Sequence, residues 1–84
     1  MAIFIKFDGD DKNVSPEDGR EFGLKELQGY VDGYIELVYL PDEKIMVVNE
    51  EGLIHGLPQN RKASILARRP IVGNVVIISS DQIS

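Results

Sequence analysis

The stretch HGLPQNRKA, residues 55 to 63, holds the residues best suited to chemistry. Asn60 is a good helix cap, because its side-chain oxygen can accept from a backbone N–H of the first turn. With Asn60 in that place, the free N–H groups of the turn point outward beside Arg61 and Lys62. Helix N-termini favour anions, and guanidinium or ammonium groups add charge-assisted hydrogen bonds. Gly56 lets the backbone approach a ligand closely, and Pro58 stiffens that approach. Tyr34 and Tyr39, with Tyr30, offer rings on which a base can stack. The set suits the holding of a phosphate-bearing small molecule. Each feature also has a plainer use: Asn60 caps, Leu57 packs, the cations solvate, and the tyrosines line the edge of a core.

Other groupings fall short of chemistry. Asp8 and Asp10 have the spacing of a calcium loop, but Lys12, Asn13 and Gly19 then stand where a third ligand, a glycine and a bidentate glutamate are needed. His55 is the one histidine, with neither an orienting acid nor a nucleophile identifiable beside it. Ser64, Ser79 and Ser80 sit in no nucleophile-elbow context, and Glu50 and Glu51 are adjacent in a turn rather than facing each other. The expectation is a protein that binds without catalysing, with no cofactor and no metal.

Charge and composition narrow the partners. The net charge of −5 disfavours general nucleic-acid binding. Its distribution is uneven. Residues 8–21 hold Asp8, Asp10, Asp11, Glu17, Asp18 and Glu21, whereas 60–80 hold Arg61, Lys62, Arg68 and Arg69 and no acid. A local basic face on an acidic protein can attract an anionic ligand without making the whole protein adhere to DNA. The chain has no cysteine, which excludes disulfides and thiolate sites and points to a reducing cytoplasm. No apolar run approaches the length of a membrane span, and MAIFIKF is not expected to be an export signal. At 84 residues the chain makes one domain, small enough that association with further copies is expected.

AIFIKF (2–7) reads as a strand. Residues 8–19 are turn chemistry throughout, and 8–21 is expected to be a flexible acidic loop. Leu24, Leu27 and Val31 mark one face of a helix over 24–31, which Gly33 is placed to end. YIELVYL (34–40) and IMVVN (45–49) form a hairpin about the PDEK turn (41–44), and Leu53–Ile54 can extend the meander. QNRKASILARR (59–69) reads as a helix with Ala63, Leu66 and Ala67 as its apolar stripe, stopped by Pro70. IVGNVVIIS (71–79) is a strand apolar on both faces, as a covered central strand should be. The predicted order is β-α-β-β-(β)-α-β: a single α+β domain over 1–84 with a mixed or antiparallel sheet of four to five strands and two helices on one face.

With the hairpin and the loop located, DGYIELVYL (32–40), IMVVNEEG (45–52), GLPQNRKA (56–63) and IVGNVVII (71–78) together resemble a family of small proteins of unknown function, common in bacteriophages and mobile elements. The resemblance covers roughly residues 24–79; Asp32 stands where a second glycine is usual, and the acidic segment has no match. What it implies is context: an accessory protein acting by binding in the host cytoplasm, for instance by sequestering a nucleotide signal of host immunity. The matched positions Asn49, Gly56, Pro58, Asn60 and Arg61 then form the candidate ligand set, with Lys62, Arg68, Tyr34 and Tyr39 as additions. The expectation is a homo-oligomer holding a nucleotide-like anion. The rival is an inhibitor whose acidic segment occupies the basic groove of a host nucleic-acid-binding protein.

Overall fold

The computed structural model describes residues 2–82. β1 (Ala2–Ile5) and β2 (Asp11–Val14) precede α1 (Leu24–Val31); β3 (Ile35–Leu40) and β4 (Lys44–Asn49) follow, then α2 (Arg61–Ala67), β5 (Val75–Ser79) and a 3-10 turn at Ser80–Gln82. The five strands form one sheet in the order β2-β1-β5-β4-β3. Every neighbouring pair is antiparallel, so the α+β class stands and the sheet is not mixed. β5, last in the chain, fills the centre between β1 and β4. Its run Val75–Ile78 is almost wholly buried, as its two-faced apolarity requires.

The helices do not share a face, which corrects the expectation. Leu27 and Val31 of α1 pack with Phe22, Ala2, Ile45, Val47, Val76 and Ile78. Ala63 of α2 packs with Ile71, Ile5, Val38, Met46, Val48 and Val75. Along β4 the two sets alternate residue by residue, so they point to opposite sides of the sheet. The reason lies in β4 and β5 themselves. Both carry apolar side chains on both faces, and a strand buried on both faces needs a cover above and below. The result is a three-layer arrangement with one helix on each side.

The segment expected to be a flexible acidic loop contains β2. Asp11–Val14 pairs residue by residue with β1, from Ile5↔Asp11 to Ala2↔Val14. Gly9, at φ +102°, makes the reversal possible, and the N–H groups of Lys6 and Gly9 close it onto the carbonyls of Asp10 and Lys6 at 2.8 and 3.0 Å. Asp11, Lys12 and Asn13 carry no apolar alternation because β2 lies at the edge, where neither face needs to be dry. Leu53 and Ile54 form no strand; they sit at the tip of an exposed turn.

Both helices end in the left-handed region without a glycine: Asp32 at φ 65° closes α1 and Arg68 at φ 57° closes α2. Gly33, the expected stop, instead donates its N–H to the Gln28 carbonyl, one residue past the cap. α2 is shorter than its sequence suggests. Gln59 bridges Val72, and Pro70 bars continuation, so only seven residues are helical.

Candidate functional site

Asn60 caps α2, as expected, and that role occupies it fully. Its Oδ1 accepts from the Ala63 N–H at 3.1 Å, while its Nδ2 donates to the carbonyls of Ile5 at 3.1 Å and Gly73 at 2.9 Å. The residue is 1% exposed. It therefore joins α2, β1 and the approach to β5, rather than facing a ligand. Lys62 is also engaged: its Nζ donates to the Gly9 carbonyl at 2.6 Å and to Asp11 Oδ2 at 3.0 Å. The cation expected to hold phosphate thus fastens the β1–β2 turn to α2. Arg61 is exposed and has no ion pair among the described residues.

The remaining candidates lie apart. Asn49 is buried, with Nδ2 donating to the Val31 carbonyl at 3.0 Å and Oδ1 accepting from the Glu51 N–H at 2.8 Å. Gly56, at φ +66°, and Pro58 are exposed in the connection to α2, and the Pro58 carbonyl accepts from the Gly73 N–H. Tyr34 shares a shallow hollow with Gln28, Gly33, Asn49, Glu51 and His55. His55 Nε2 lies 3.8 Å from Glu51 Oε1 there, with both side chains substantially exposed. Tyr39 is exposed on the outermost strand, and Arg68 sits at the far end of α2. Lys62, Arg68 and Tyr34 thus line three different depressions instead of one site.

A different feature unites part of this surface. Between α2 and the sheet runs an apolar cleft of about 480 Å³, floored by Ile3, Ile77 and Leu40 and walled by Ile65 and Leu66. Lys44, Asp42 and Arg68 stand at its rim. A second hollow of about 340 Å³ continues it past the same Ile3, Ile65, Leu66 and Ile77 toward Ile5, Asp11 and Lys62. The cause is local. α2 is two turns long and seats itself through Ala63, so its larger apolar residues overhang the sheet without covering it. Ile65 is left 70% and Leu66 51% exposed, and with Ile3 and Ile77 they line one contiguous apolar hollow.

Asp18 and Tyr30 have shifted titrations. The N–H groups of Arg20 and then Glu21 donate to Asp18 Oδ1 and hold its carboxyl below the ordinary value. Burial, reinforced by Glu26 and Glu17, pushes the Tyr30 hydroxyl up. Among the described residues no three His, Asp or Glu side chains converge as metal ligands, and no helix is long and apolar enough to cross a membrane.

The model of a domain of unknown function, DUF3846, matches residues 4–83. The chain belongs to this family. The match begins midway along β1 and runs to residue 83, so it takes in both helices, the second half of β1 and the other four strands. Leu40, Ile65, Leu66, Arg68 and Ile77 of the cleft fall inside the family domain; Ile3 falls just outside it. No curated protein and no solved structure matches the chain.

The DUF3846 cleft was not legible from helical spacing. The stripe read from the sequence, Ala63, Leu66 and Ala67, includes one residue that is half exposed. The available signal was the adjacent pair Ile65–Leu66: neighbours on a helix point about 100° apart, so a helix this narrow cannot bury both.

Proposed function

We propose that this DUF3846 protein is a non-enzymatic binding module that docks a protein segment in the cleft beneath α2. The segment presents apolar side chains flanked by carboxylates. The observation that carries this reading is the exposure of Ile65 and Leu66 over the apolar floor of Ile3, Leu40 and Ile77, with two cations, Arg68 and Lys44, against one acid, Asp42, at the rim. A row of apolar side chains fills the trough, and carboxylates meet Arg68 and Lys44, neither of which has an ion pair among the described residues. The nucleotide-like ligand expected from the sequence fares less well, because Asn60 and Lys62 are already bonded within the fold. The setting we propose, from the resemblance, is that of a phage or mobile-element accessory protein occupying a host protein in the cytoplasm.

The test is a methyl NMR titration of the intact protein with three probes: a Leu- and Glu-rich helical peptide, its Leu- and Lys-rich counterpart, and ATP. The acidic peptide is expected to shift the methyls of Ile3, Leu40, Ile65 and Ile77, and Arg68→Glu to weaken that binding. A shift of the Arg61 amide, followed in parallel amide spectra, with ATP alone would restore the small-anion reading, and no cleft shift with the acidic peptide would remove the docking reading.

A further inference from the structure

The two edges of the sheet differ in a way that points to a partner. β2 is four residues long, DKNV, with two charges and with Pro16 two residues beyond its end. Short, charged edges flanked by proline resist pairing with another strand. β3 is six residues long, IELVYL, with one charge, no lysine or proline within it, and an unbroken register to β4 from Ile35↔Asn49 to Leu40↔Lys44. Of these protections it has only the flanking proline, Pro41, which lies beyond its last residue and leaves its length, its low charge and its ladder unchanged.

The direction of its free backbone groups follows from the bonds at its ends. The Glu50 N–H donates to the Tyr34 carbonyl at 2.8 Å. Tyr34 opposite Glu50 is therefore a hydrogen-bonded pair, and so by alternation are Glu36–Val48, Val38–Met46 and Leu40–Lys44. The other side of β4 agrees. The Ser80 N–H donates to the Glu43 carbonyl at 2.9 Å, which assigns Ile45 and Val47 to β5 and leaves Met46 and Val48 for β3. Ile35, Leu37 and Tyr39 thus turn their N–H and C=O groups away from the sheet, and no described residue bonds them.

We infer that β3 pairs with β3 of a second copy of this chain, antiparallel about a twofold axis through Leu37, to give one continuous ten-stranded sheet. The register is selected by the residues. With the axis at Leu37, Ile35 meets Tyr39 of the second copy, Leu37 meets its own mate, and all three outward residues on each strand find partners, six hydrogen bonds in all by the alternation above. An axis at Val38 puts Ile35 opposite Pro41, which has no N–H to give. An axis at Glu36 sets the two carboxylates directly opposite each other. The chosen register also accounts for the large exposed rings at both ends of the strand: Tyr39, 76% exposed, stacks on Ile35 of the second copy, and Tyr34, 65% exposed, lies opposite its Leu40. Antiparallel pairing of one strand with itself is isologous and closes at two copies.

Tyr39→Pro tests this, because it deletes an N–H that the monomer leaves unused, on a side chain that is mostly exposed. Sedimentation across a concentration series is expected to show a monomer–dimer equilibrium for the natural chain, with Kd raised roughly tenfold or more in Tyr39→Pro. Asn13→Pro, the matching change on the β2 edge, is expected to leave the dimer intact. Hydrogen exchange reports the register: the amides of Ile35, Leu37 and Tyr39 slow together as the dimer forms. A natural chain that stays monomeric throughout overturns the inference. So does a dimer that Leu66→Glu dissolves and Tyr39→Pro does not, since that dimer is built on the cleft.

Discussion

Asn49 and Gly33 fit one another as a side chain fits a slot: a Cβ on Gly33 would stand 2.7 Å from Asn49 Nδ2. That close approach lets the carboxamide reach the carbonyls of Val31 and Asp32 at 3.0 and 3.4 Å, where α1 ends. The same side chain accepts from the Glu51 N–H and fixes the turn after β4. One side chain thus ties the end of the helix to the turn after the hairpin, beside the apolar packing of Leu27 and Val31 on Ile45 and Val47.

Asn49→Ala is therefore expected to cost about 1–3 kcal/mol, because it leaves the Val31 carbonyl without that donor and the Glu51 N–H without that acceptor. Gly33→Ala is expected to destabilise as well, by pushing the carboxamide out of place. In the double variant the second change should cost much less, since the clash has been removed. Urea denaturation of the four proteins measures the coupling, and strictly additive losses would contradict the packing described.

Asn60 distinguishes a cap from a clamp. Replacement by Ala is expected to cost about 2–4 kcal/mol, from the lost cap together with two buried carbonyls left short of a donor. Asp is as good an N-cap in general, yet here it would turn an oxygen toward the carbonyls of Ile5 and Gly73. Asn60→Asp should thus be no better than Asn60→Ala in chemical denaturation. Arg61→Ala, at an exposed side chain without an ion pair among the described residues, should stay within about 0.5 kcal/mol of the natural protein.

Much of this arrangement was legible because periodicity is local. The β3–β4 hairpin, α1, the cap at Asn60 and the two-faced strand over Val75–Ile78 follow from residues close together in the chain. What the sequence does not carry is which face a helix takes and where a polar side chain ends. Met46 and Val48 demand cover opposite Ile45 and Val47, and that demand divides the helices between the two faces. β2 exists because β1 offers it a partner, so DKNV has no signature of its own. Lys62 looked like a free cation because Asp11 is 51 positions away in the chain.

That ion pair is a modest stabiliser. Both side chains are half exposed, so Lys62→Met and Asp11→Asn are each expected to change stability by less than about 1 kcal/mol, with a coupling that shrinks in salt. The larger effect should be local: faster amide exchange at Gly9 and Asp11, which the lysine holds against α2. Exchange at these amides unchanged in Lys62→Met would show that the turn needs no such fastening.

Tyr30 links stability to alkaline pH. Its ring packs against Phe4 with centroids 4.9 Å apart and meets Phe22 edge-on at 6.4 Å, and burial raises its hydroxyl above the ordinary value of 10.0. A folded-state value raised above that of the unfolded chain means that the folded protein keeps its proton where the unfolded chain has begun to lose it. The stability this confers is complete below pH 10.0 and falls away as pH rises from there through the folded-state value. Phe in the same place keeps the ring contacts and has no proton to lose. Denaturation midpoints of the natural protein and Tyr30→Phe, measured in parallel from neutral pH into the alkaline range, should therefore keep a constant separation at first. Above pH 10.0 the natural protein should lose stability relative to the variant. Parallel curves throughout would mean that the hydroxyl titrates as freely in the fold as in the open chain, and that the packing of α1 against Phe4 admits water.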